Sequence, residues 1–143
     1  MITLKQKNMS TNVIDIEGIG SVYANTLAEF GINTIEQLLI QGATKSGRKE
    51  LEKETKIDGK RILYWIGMAD LYRINGVGKQ FSELLKGAGV DTVKELRTRN
   101  PENLHTKLVE TNEIKMLTKA VPSFVQVKDW IIQSKSMKTT IIY

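Results

Sequence analysis

The chain repeats itself, and that constrains its fold more than any other feature. Ile16-Glu17-Gly18-Ile19-Gly20 and the residues up to Gly42 align without a gap on Ile74-Asn75-Gly76-Val77-Gly78 and the residues up to Asn100, at a constant offset of 58. Gly18/Gly76, Gly20/Gly78, Leu27/Leu85, Gly31/Gly89, Thr34/Thr92 and Leu38/Leu96 are identical, and Ile19/Val77, Tyr23/Phe81, Ile32/Val90 and Ile35/Val93 keep their chemistry. Self-similarity of this kind means one supersecondary unit built twice. Downstream the register slips: Trp65 and Trp130 stand 65 apart rather than 58, so the second copy holds seven more residues.

Each copy reads as helices joined by short turns. Val13 and Ile16, one helical turn apart, precede Gly18-Ile19-Gly20, a glycine pair suited to a tight turn. A helix follows over about residues 21–30, with Val22, Tyr23, Leu27 and Phe30 on its apolar side and Gly31 ending it. Thr34 with Gln37, Thr92 with Glu95 and Ser123 with Gln126 have the spacing of capping boxes. A helix is expected to start near Ser46, and Asp58 to cap the long one through Ile62, Trp65 and Ile66. Asn100-Pro101 opens another by the proline-at-N1 preference. No useful period-two alternation occurs except at residues 139–143, so strands are not expected. The reading is all-α, with two repeats packed into one compact helical domain. Its boundaries are 1–10 (an extension, with the true start at Met1 or Met9), 11–73 (first repeat), 74–136 (second repeat) and 137–143 (a loosely held tail).

Composition narrows the function classes. The chain has no cysteine, hence no disulfide framework and no thiolate metal site, which fits a reducing, cytoplasmic address. No apolar run approaches the ~20 residues that cross a bilayer, so no membrane partner is expected. His105 is the only histidine and has no recognisable nucleophile or ligand partner; it reads as a surface or capping residue. With no triad, paired-carboxylate, Walker-type or metal constellation at recognisable spacing, a binding module is expected rather than an enzyme, with no cofactor and no metal. The net charge is +5, yet residues 12–42 carry Asp15, Glu17, Glu29 and Glu36 with no Lys or Arg. The basic excess lies outside the first glycine turn.

The pattern apolar-x-x-apolar-x-Gly-apolar-Gly-x-x-x-small-x-x-apolar is met by Val13, Ile16, Gly18, Ile19, Gly20, Ala24 and Leu27, and again by Leu71, Ile74, Gly76, Val77, Gly78, Ser82 and Leu85. These residues resemble the helix-hairpin-helix motif of DNA repair and recombination proteins. The whole arrangement is similar to a bacterial family of tandem helix-hairpin-helix proteins of unassigned function. The resemblance implies sequence-independent binding of a nucleic-acid backbone, DNA above all, at the two turns.

The physics of such a unit is simple. A Gly-apolar-Gly turn before a helix leaves amide groups unpaired where the helix dipole adds about half a positive charge, a place for a phosphate oxygen. The expected contacts are Gly76, Val77, Gly78 and Lys79 of the second turn and Gly18 and Gly20 of the first, with Lys45, Arg48, Lys60 and Arg61 extending a phosphate-contacting face, and Lys49 and Arg73 beside them. Family members often carry a basic residue just after the turn; Lys79 fits, whereas the first turn has Ser21 and is flanked by Asp15 and Glu17. Each assignment has a structural alternative. The turns serve equally well as plain connections. The basic run of residues 45–61 is interleaved with Glu50, Glu52, Glu54 and Asp58, the pattern of a solvated helix face. Trp65 and Trp130 read as core. The alternative function is a protein-interaction adaptor in which the acidic first hairpin docks a protein partner and nucleic acid is not bound.

Overall fold

The computed structural model describes residues 11–143, and the extension read at residues 1–10 lies outside them. Among the described residues the protein is all-helical: a 3-10 turn Val13–Asp15, then α1 (Ser21–Glu29), α2 (Ile35–Gly42), α3 (Lys45–Thr55), α4 (Gly59–Leu71), α5 (Lys79–Gly87), α6 (Val93–Leu96), α7 (Pro101–Lys115) and α8 (Phe124–Lys135). No named strand occurs among them, and the one isolated bridge pairs Asn12 with Thr34.

The helix ends follow local chemistry. The hydroxyls of Thr34, Thr44, Thr92 and Ser123 and the side-chain oxygen of Asn100 each accept from the backbone amide three residues on, satisfying one of the donors a helix N-terminus leaves open. Thr34 with Gln37 and Ser123 with Gln126 close full capping boxes. Glu95 instead gives its carboxylate to Arg99, at 2.9 Å. Asp58 stands at the N-cap of α4 but makes no side-chain cap bond; Glu52 Oε1 takes the Gly59 amide at 3.2 Å in its place. α1 and α5 both end with paired bonds around a positive-φ glycine, Gly31 N to Ala28 O with Ile32 N to Leu27 O, and Gly89 N to Lys86 O with Val90 N to Leu85 O.

Two hydrophobic clusters form the interior. One joins Val13, Ile16, Ile19, Leu27, Ile35, Leu38, Leu51, Trp65 and Ile66; the other joins Leu71, Ile74, Val77, Leu85, Val93, Leu104, Leu108, Val127 and Trp130. At about 1.5–3 kcal/mol for each large aliphatic removed from water, burial of these side chains is the main stabilising force. α4 belongs to both clusters, since Ala69 packs in the first and Leu71 in the second. It also approaches the α5–α6 connection closely: a Cβ on Gly67 would lie 2.6 Å from the Asp91 carbonyl oxygen. The seven extra residues arise because α7, which starts two residues earlier in the repeat than α3, runs 15 residues against 11, and because the connection 116–123 stands where 56–58 joins α3 to α4.

A further correspondence ties the segment leading into each glycine turn to α2 or α6. The Ile35 amide donates to Thr11 O at 2.8 Å, and the Val93 amide, 58 residues on, donates to the buried carboxylate of Asp70 at 2.7 Å. The Asp70 carboxylate is held on its other side by Arg73 Nη1 at 2.8 Å.

The tail is not loosely held. Arg97 Nη2 donates to Met137 O at 2.7 Å, Arg73 Nη2 to Lys138 O at 2.8 Å and Arg48 Nη2 to Ile142 O at 2.7 Å. Ile142 N donates to Ala43 O, and Ile141 is buried in the first cluster. Hydrogen bonds from charged donors are worth about 1.5–3 kcal/mol apiece before the cost of ordering the chain is subtracted. These arginines on α3, just after α4 and just after α6 make residues 137–142 a strap over both clusters.

Candidate functional site

Each glycine turn is built from its sequence in the same way. Ile19 N donates to Ile16 O and Val77 N to Ile74 O, both at 3.1 Å, closing a four-residue turn. The third residue of each turn is Gly18 or Gly76, with φ of 91° and 95°, a left-handed conformation that a side chain resists. Beneath each lies an indole: a Cβ on Gly18 would stand 3.4 Å from Trp65 Nε1, and one on Gly76 3.1 Å from Trp130 Nε1. Tyr23 packs edge-on to Trp65, with centroids 5.1 Å apart, and Phe81 packs tilted on Trp130 at 5.3 Å. Ile19 and Val77 point inward and are buried, as the pattern predicts.

In front of each turn the backbone is open. Gly20 and Gly78 are the N-caps of α1 and α5, with no side-chain cap, and no heavy atom lies within 4 Å of where their Cβ would be. The first i to i−4 bonds are Ala24 N to Gly20 O and Ser82 N to Gly78 O, so the three amides before each have no helical acceptor. The second turn is further braced by Gln133 of α8, whose amide accepts from Asn75 N at 2.9 Å and donates to Asn75 O at 3.1 Å. The first is braced by Tyr72, whose hydroxyl donates to Asp15 O at 3.0 Å. Burial, together with Asp15 and Glu83, pushes that hydroxyl up to about 12 against a smaller lowering by its bond to Ser82.

The basic residues divide into three groups. Lys60 and Arg61, in the first turn of α4, line an open cleft of about 410 Å3 with Glu17, Gly18, Asp58, Tyr64 and Trp65. The Arg61 guanidinium sits 5.2 Å from the Tyr23 ring centre. The first glycine turn, bare of cations along the chain, thus acquires two in space because the chain folds back to set Trp65 under Gly18. Lys45 lies elsewhere, on a cleft of about 330 Å3 with Lys49, Glu52, Leu63 and Tyr143. Arg48, expected on a phosphate-contacting face, is only 9% exposed and spends its guanidinium on the carbonyls of Gly42, Ala43 and Ile142. Its charge does internal work.

Lys79 forms the third group. Its Nζ is 3.9 Å from Glu17 Oε2, an ion pair that sets the residue after the second turn beside the residue before Gly18. Glu83, one helical turn along α5, faces the same place: burial and Glu17 raise its pKa, and Lys79 and Lys115 lower it. The Tyr64 hydroxyl is raised by burial and then by Glu83 and Glu17. Along the sequence Glu17 stands only as an acidic flank of the first turn, because a pairing between turns 58 residues apart leaves no local signal. The Gln133 brace likewise leaves none. His105 bridges α7 to the start of α8, with Nε2 3.1 Å from Pro122 O and its ring edge-on to Phe124. No group of three or more His, Asp or Glu able to hold a metal occurs among the described residues. No helix among them is long and apolar enough to cross a membrane.

The architecture and the turns together define an all-helical protein organised around two alike, open glycine turns. The chain belongs to the family described as a domain of unknown function, DUF4332, whose model matches residues 17–137. That span takes in both glycine pairs and ends where Arg97 grips the strap. Comparison with curated proteins and with solved structures gives no match.

Proposed function

We propose that the two units are helix-hairpin-helix elements and that the protein binds a nucleic-acid backbone, DNA in the first instance, without reading sequence and without catalysis. The observation that carries this reading is the contrast among helix N-termini. Five helices are closed by a capping side chain and α4 has its first amide taken by Glu52, whereas α1 and α5, the two that follow the glycine turns, are fronted by bare glycine. Unfilled amides at a helix N-terminus hold phosphate oxygens. Lys60 and Arg61 supply cations at the first turn, and Lys79 at the second. Lys45 belongs to a separate cleft and Arg48 to the interior, so neither enters the proposed contact.

A fluorescence-anisotropy titration of a labelled random-sequence duplex and the matching single strand, at low and near-physiological salt, tests the reading. The double substitution Lys60→Glu/Arg61→Glu and, separately, Lys79→Glu should each weaken binding alike on different sequences. Each lost phosphate contact should lower the log–log salt slope on duplex by about 0.9. Absence of binding to either strand form at low salt would overturn it. A protein-interaction adaptor is then the better reading, favoured by Ile14 and Val22 standing 44% and 75% exposed on the acidic first hairpin.

A further inference from the structure

The ion pair between the two turns bears on how the second one works. If the turns bind phosphate, Lys79 is the cation placed to follow the phosphate into the second turn, yet its ammonium lies 3.9 Å from Glu17 Oε2. A carboxylate and a phosphate oxygen offer an ammonium the same kind of acceptor. The surroundings hold the carboxylate in place. Glu17 adjoins Gly18, whose turn is fixed by the indole below it and by the Ile16–Ile19 hydrogen bond. Tyr72, two residues before Ile74, donates to Asp15 O at 3.0 Å and so ties the lead-in of the second turn to that of the first. Both partners are about half exposed, 54% for Lys79 and 47% for Glu17, and so remain reachable by a ligand.

We propose that Glu17 is an internal competitor for the phosphate site of the second turn: it occupies Lys79 in the free protein and must be displaced before Lys79 can pair with a backbone phosphate. The proposal rests on the backbone-binding reading and adds its regulation. Glu83, one helical turn along α5 from Lys79, would repel the same phosphate, so the second turn carries a second attenuating carboxylate. An exposed pair of this kind is modest in strength and screened by salt. Attenuation is therefore expected to be graded, with loss of the Glu17 charge relieving part of it.

The test is a double-mutant cycle on duplex binding at low salt. Glu17→Gln should tighten binding roughly two- to fivefold, and the gain should shrink at near-physiological salt. In the Lys79→Gln background the same substitution should give a smaller gain, because the cation of the second turn is gone and only the effect on the first-turn cleft, which Glu17 also lines, is left. Glu29→Gln, which removes an equal charge from the first hairpin, is the control for bulk electrostatics. A Glu17→Gln gain that is undiminished without Lys79, or one matched by Glu29→Gln, would overturn the competitor role while leaving backbone binding intact. No binding by any variant at the lowest salt would remove the underlying reading and the competitor with it.

Discussion

The two glycines of the second turn should separate stability from binding. Gly76 has φ of 95°, and an added Cβ would meet Trp130 Nε1 at 3.1 Å. A side chain held in that backbone region costs about 1–3 kcal/mol, and the indole has to yield a few tenths of an ångström as well. Gly78 has φ of −120° and ψ of −153°, with nothing within 4 Å of its Cβ direction. Alanine there loses a few tenths of a kcal/mol to several tenths as a poorer N-cap than glycine. It regains about 0.4–1 kcal/mol through a less flexible unfolded chain. Gly76→Ala should therefore destabilise by about 1–3 kcal/mol and Gly78→Ala by no more than about 0.5 kcal/mol in either direction. Urea unfolding followed by tryptophan fluorescence reads both, since Trp130 lies under the turn. Binding should show the reverse order per unit of stability, because a methyl on Gly78 stands in the open space before α5. Equal losses of stability for the two variants would refute the assignment of one glycine to the turn and the other to its mouth.

Ile141→Ala should lower stability by about 2–3 kcal/mol, near the low end for a buried isoleucine because the resulting cavity borders the surface; an unchanged urea midpoint would mean that the strap does not share in the fold. Tyr72 supplies a pH signature. Its hydroxyl is raised from 10.0 to about 12 on folding, so the native state keeps the proton longer than the unfolded chain. The stability it contributes is intact below pH 10 and is lost as pH rises towards 12. Comparing urea midpoints near the two ends of that window in the parent and in Tyr72→Phe isolates it: the parent should lose the larger share, and parallel losses would contradict the assignment.

What could be read along the chain was what short-range chemistry decides. Gly31, Gly89, Thr34, Ser123 and Asn100-Pro101 act within four residues of themselves, and the inward set of Ile19 and Val77 follows from their place between two glycines. Arg48 illustrates the limit. Along the sequence it is one cation in a mixed-charge helix, and only the return of residues 137–142 reveals that it serves carbonyls. Lys60 and Arg61 were named for their charge, but their position at the first turn depends on the packing of Trp65 beneath Gly18. Lys79 was named for its place after Gly78, while its partner Glu17 was fixed by how the two turns meet. Asp58 shows the same limit on a smaller scale, since Glu52 from the preceding helix reached the vacant amide first.

The close approach at Gly67 also bears on how far this architecture can be extended. Two residues after Trp65, α4 lets the α5–α6 connection come against its backbone, an approach that a single methyl group would obstruct. Two residues after Trp130, the same position on α8 is Ile132, which is 56% exposed. A third unit laid on α8 in the manner of the second on α4 would strike that side chain. Ile132 thus obstructs end-on growth by this packing at α8, where Gly67 admits it at α4.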